Sequence, residues 1–154
     1  MPEIKTGEIV ETEWWPESVT VTEDTDISDI SSTSFTPGSP VCATTFVAPR
    51  SGRVGVAVSA EMREESLGNR LFVSYEIYQG TSAAGTLVRS ARAGFGVSTN
   101  GDAGGTSQFM TLGNMSMVEN LVEGATHYIR TMHSVDAGTT NDIGLRRLTV
   151  IPLA

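Results

Sequence analysis

Hydrophobic and polar positions alternate most cleanly between Arg53 and Met62. Val54, Val56, Val58, Ala60 and Met62 share one parity; Gly55, Ala57, Ser59 and Glu61 share the other. A period of two predicts a half-buried strand. The small residues on its second face would let another chain or sheet approach closely. Leu71, Val73, Tyr75 and Ile77 predict the inward face of the next strand, with Phe72 and Tyr78 opposite. Further strands are expected over 41–47, 87–93, 109–118, 126–135 and 143–153. Turns and loops separate them: Thr36-Pro37-Gly38-Ser39-Pro40, then 48–52, 63–69, 79–85, a glycine-rich loop over 94–105, 120–125 and 136–142. Two weaker candidates, 8–12 and 18–22, flank Trp14-Trp15-Pro16, where the proline opposes a continuous central strand. Residues 23–34 read as an extended polar connection. No segment reads as a helix of three turns.

Eight or nine short antiparallel strands, recurring about every 8–12 residues, predict an all-β fold, a β-sandwich or jelly roll with an extended N-terminal arm. Composition agrees. The 154 residues, the length of one domain, include 19 Thr, 16 Ser and 16 Gly, which suit strands and tight turns.

Charge divides the chain. Residues 1–35 hold nine carboxylates against Lys5, whereas 36–154 hold nine carboxylates and nine arginines, so the whole net charge of −8 lies ahead of residue 36. The division predicts an acidic arm or leader over 1–35 and a sandwich body over 36–154. With one lysine and scattered arginines, nucleic-acid binding is not expected. Arg146-Arg147 is the sole adjacent basic pair, and on a strand its side chains point to opposite faces. No apolar run approaches the ~20 residues of a membrane span, and the N-terminus does not resemble a signal peptide. Synthesis in a host cytoplasm is therefore expected. Cys42 is the single cysteine and reads as a small buried hydrophobe.

No catalytic signature emerges. His127 and His133 share a strand face but stand about 20 Å apart, too far to hold one metal together. Gly80-Thr81-Ser82-Ala83-Ala84 lacks the closing glycine of a nucleophile elbow. Asp24-Thr25-Asp26-Ile27-Ser28-Asp29 lacks the glycine and terminal glutamate of an EF-hand loop, and Gly94-Phe95-Gly96-Val97-Ser98-Thr99 reads as a mobile surface loop. No enzyme activity, metal or cofactor is expected. Leu121-Val122-Glu123-Gly124-Ala125-Thr126-His127-Tyr128 resembles the corner that enters a late strand of fibronectin-type sandwiches, where a tyrosine ties strand to turn, but here His127 occupies the tyrosine's place.

The segments 33–42, 46–54, 124–128 and 138–143 together resemble small β-rich proteins from the head and tail structural genes of actinobacterial phages and prophages. The resemblance covers roughly residues 24–151. It implies a capsid-decoration or minor tail component and supplies no catalytic residues. The expected function is thus a virion structural protein, a decoration (cement) protein docking on the head as an oligomer, with a trimer favoured. Its expected partner is the major capsid protein or another virion protein, and its expected anchors are Trp14, Trp15 and Phe35. The alternative is a minor tail or fibre module that binds host-surface glycan, for which Tyr78 and Phe95 are the available aromatics.

Overall fold

A computed structural model describes residues 15–65, 68–100, 108–137 and 141–154. Trp14 and the strand expected over 8–12 lie outside these. The described residues form eleven strands in two antiparallel sheets. The five-stranded sheet runs β1 (Val19–Glu23), β11 (Asn141–Pro152), β5 (Val54–Glu64), β9 (Met110–Val118), with β2 (Ile27–Ile30) also paired to β11. The six-stranded sheet runs β3 (Thr36–Pro37), β10 (Thr126–Val135), β6 (Leu71–Gln79), β7 (Thr86–Arg89). In it β4 (Ala43–Val47) also pairs with β10, and β8 (Val97–Ser98) with β6. Successive long strands alternate between the sheets, which is the β-sandwich expected from the sequence.

The core lies between the sheets. Val54, Val56, Val58, Ala60 and Met62 of β5, with Leu148 and Val150 of β11, face Leu71, Val73, Tyr75 and Ile77 of β6 and Ile129 and Val135 of β10. These are the parities predicted for β5 and β6. Each fully buried Val, Leu or Ile contributes about 1.5–3 kcal/mol of transfer free energy, so this inner layer is the main source of stability. The Tyr75 hydroxyl and Ser116 Oγ, 2.6 Å apart, bridge the layers.

Two expectations are corrected. The strand expected over 18–22 is β1, which pairs with β11 from Val19↔Val150 to Glu23↔Arg146, but the connection expected over 23–34 contains a further strand, β2, on the same partner. An edge strand with one open face tolerates acidic residues, so charge alone did not mark it as separate. The glycine-rich loop is also partly ordered by packing. After a 3-10 turn at Ala93–Phe95, β8 pairs with β6, and Val97 and Thr99 are buried. A Cβ on Gly96 would fall 1.9 Å from the Val73 carbonyl oxygen, so glycine is what permits this approach.

Candidate interaction surface

Among the described residues no group of three or more His, Cys, Asp and Glu side chains is placed to hold a metal ion. The two histidines share the inward face of β10, as their spacing requires, but work separately. His127 Nδ1 lies 3.0 Å from the Ala125 carbonyl, so the histidine ties the strand to the preceding corner in the tyrosine's place. Tyr128 instead packs outward. Burial lowers the His127 pKa, and burial followed by the nearby Arg146 charge pushes His133 down to about 4. Both rings are held neutral at pH 7. Burial raises the Cys42 thiol, which suits a packing role.

Exposed apolar side chains lie on the outer faces of both sheets. On the five-stranded sheet, register aligns three rows across β11, β5 and β9: Ile151–Gly55–Met117, Thr149–Ala57–Met115 and Arg147–Ser59–Gly113. The middle column is small in every row. Met115 is 63% exposed and Met117 48% exposed, a high value for side chains this apolar. Ala57, Ser59, Gly113, Met115, Arg147 and Thr149 line a shallow depression of about 340 Å³. Arg147 reaches across the sheet to donate from Nε to Thr22 Oγ1 at 3.3 Å. The free edge of β9 is partly covered: Arg89 donates to the Met117 carbonyl at 3.1 Å, and Asn114 Nδ2 donates to the Gly96 carbonyl at 3.0 Å. The open part of this sheet is its face, more than its edge.

The six-stranded sheet presents a different surface. Tyr78 and Tyr128 are cross-strand partners with ring centroids 6.4 Å apart. Beside them Glu76 Oε1 accepts from Arg130 Nε at 2.6 Å and from the Tyr78 hydroxyl at 2.8 Å. Exposed Leu87 and Val47 flank this cluster through their pairing with Tyr78 and Thr126. Phe95 is not free for a ligand: the Arg89 guanidinium stacks 3.6 Å from its centroid, and its far side packs on the core.

Two of the three expected anchors lie within the described residues. Trp14 lies outside the described residues. Trp15 is 46% exposed and precedes β1 of the five-stranded sheet, while Phe35 is half-buried and precedes β3 of the six-stranded one. The methionine ridge was missed as a candidate. Its signal was present in the sequence, since Met115 and Met117 share a parity opposite that of Leu112 and Val118.

No protein-family model and no curated protein matches the sequence. Solved structures do share its fold. The crystal structure of the infectious bursal disease virus VP2 subviral particle superposes on 90% of this chain with a TM-score of 0.51 at 13% identity. Infectious bursal virus derived T=1 particles give 0.51 over 90% of the chain at 19% identity. The chain spans about a third of the length of those proteins, 33% and 32%. The likeness is one of fold: this chain is a β-sandwich of the kind found in a viral particle protein.

Proposed function

We propose that the protein is a non-enzymatic virion structural protein of a bacteriophage. In this reading it is a decoration protein that docks on the head surface as an oligomer, with a trimer favoured. The observation that carries the reading is the fold shared over nine-tenths of the chain with proteins that form viral particles. The phage setting rests on the sequence resemblance. The acidic N-terminal segment ahead of β1, with Trp14 and Trp15, is the proposed shell-binding element, and Phe35 is a further anchor. Four of the carboxylates precede Trp14, and Trp15 offers a large exposed indole that would gain by entering a pocket. The partner would be the major capsid protein or another virion protein.

Because β1 and β2 belong to the sandwich, the informative truncation removes residues 1–14 and no more. The truncated protein should fold with unchanged melting behaviour and lose binding to purified shells. Binding of the full chain should weaken as salt is raised, because exposed charge pairs are screened. Truncated protein that decorates shells normally would refute the arm.

A second reading, a tail or fibre module for host glycan, is favoured by one observation: the outward Tyr78–Tyr128 pair beside Glu76 and Arg130. Sugar rings stack on aromatic faces and hydrogen-bond to such charged groups. Saturable binding of oligosaccharides that Tyr128→Ala abolishes would support it.

A further inference from the structure

We infer that copies of this chain join head to tail: the side of the sandwich bounded by β1 and β4 in one copy meets the side bounded by β7 in the next. The copies are related by rotation about an axis parallel to the strands, which closes a ring of three or more. This rests on the oligomeric part of the proposed function and names the surfaces that serve it.

The two sides carry opposite charge. Residues 15–35, which supply β1 and its continuation, hold Glu17, Glu23, Asp24, Asp26 and Asp29 and no base. Residues 86–100, which supply β7 and its continuation, hold Arg89 and Arg92 and no acid. Among the described residues none of Glu23, Asp24, Arg89 and Arg92 forms an ion pair. A two-fold contact would set each side against its own charge, whereas a head-to-tail contact sets acid against base.

The strands are placed for it. Among the described residues β4 pairs only with β10 and β7 only with β6, so each presents one unpaired backbone edge. The path β4–β10–β6–β7 is antiparallel throughout, so β4 and β7 run in opposite directions. Rotation about an axis parallel to the strands preserves those directions, and β7 of one copy then meets β4 of the next antiparallel. The charges also lie at one level. Arg89 pairs with Ile77, in the row of Ile129 and Thr44, and Arg92 is held to Ser74 Oγ, in the row of Met132 and Pro37. At the opposite edge Cys42 Sγ donates to the carbonyl of Arg146, which pairs with Glu23, so Glu23 and Asp24 stand over the stretch between Pro37 and Thr44. Exposed Leu87 and Val88 meet exposed Val41 and Val47 across the same contact. The edge of β9 adds little, because Arg89 already occupies the Met117 carbonyl. Each contact joins strands of four and five residues and belongs to the small, weak class. A ring offsets this, since its last contact forms within one assembly at high effective concentration.

The test is solution mass by light scattering or sedimentation over a concentration series, on the full chain at low salt. The expected result is an assembly of three or more copies that falls toward the monomer as salt is raised. Arg92→Glu removes the basic side and keeps the acidic one; Asp24→Asn with Asp26→Asn does the reverse. Each variant should weaken association at least tenfold. Their one-to-one mixture should give a heterodimer and nothing larger, because one intact acidic side remains for one intact basic side. All three positions are exposed, and a melting curve checks that the variants fold; if the double variant does not, Asp24→Asn alone decides. A natural chain that stays monomeric at every concentration, or stops at a dimer, overturns the inference. So do folded variants that keep the natural mass. A mixture that stays monomeric, or that grows beyond the heterodimer, overturns it as well. Shell binding is read separately, so loss of the ring with decoration preserved leaves the proposed function standing.

Discussion

Arg146 and Arg147 are consecutive on β11 and face opposite ways. Arg146 is 1% exposed, and its guanidinium donates to the carbonyls of Pro40 at 3.0 Å and Thr25 at 2.9 Å. Arg147 lies exposed on the outer face. A register shift between Ile143 and Arg146 sets this arrangement: it moves the inward parity from odd to even residues, so Ile143, Arg146 and Leu148 all point into the sandwich. The buried guanidinium thereby pins the β1–β2 connection and the Pro37–Pro40 turn to the core. Burial lowers its pKa.

Arg146→Ala should therefore cost about 3 kcal/mol, from two charge-assisted hydrogen bonds at roughly 1.5 kcal/mol each. Arg147→Ala should stay within about 0.5 kcal/mol, as exposed substitutions usually do. Urea denaturation of both variants checks the contrast, and equal costs would contradict the placement.

His133 makes stability depend on pH. Its folded pKa of about 4 lies below the ordinary value of 6.5 for the unfolded chain. Between those values the unfolded state binds more protons, so the contribution is fully present above pH 6.5 and is lost as pH falls toward 4. The loss is of the order of 3 kcal/mol. Thr36 Oγ1, 3.3 Å from Nε2, offers no charge to offset a second cation beside Arg146. Melting temperatures from pH 7.5 to 4.5 should fall less steeply for His133→Gln than for the natural chain. Parallel slopes would exclude His133 as the cause.

Two glycines are fixed by close approach. A Cβ on Gly96 meets the Val73 carbonyl, and one on Gly38 falls 2.1 Å from Arg146 Nη1 and 2.6 Å from Ile27 Cδ1. Either alanine substitution should destabilise by about 2 kcal/mol, in the range for overpacking. Gly94→Ala, with nothing within 4 Å, should be nearly silent. Thermal denaturation of the three variants gives the comparison.

The Tyr75–Ser116 bond joins the sheets through β9, in which Val118 is the only buried side chain. Ser116→Ala should cost about 1 kcal/mol and raise amide exchange along β9 before β5, read by native-state hydrogen exchange.

The sandwich was legible where one face is buried and the other is not. β5 and β6 announce themselves because period-two alternation and burial coincide there. β1 was legible only as the weak strand over 18–22, and β2 not at all: their outward residues are acidic or polar, and their pairing with β11 bridges more than a hundred residues. Arg146 was legible only as one of two opposed side chains. Which of the pair is buried depends on where the bulge falls: the apolar parity passes from Ile143 and Leu145 to Leu148 and Val150, and the pattern alone does not say on which side of that change Arg146 lies. Gly96 was read as mobility because a glycine needed for close packing looks the same in sequence as one needed for freedom. The outer face of the five-stranded sheet was half visible: the small residues of β5 share one parity, but their alignment beside Met115 and Met117 depends on strand order.

The central claim, that this protein decorates a phage head, is tested most directly by counting its copies on purified particles with antibody labelling and imaging. The account predicts many copies distributed over the head surface. A few copies confined to the tail tip, or none on the particle, would contradict it.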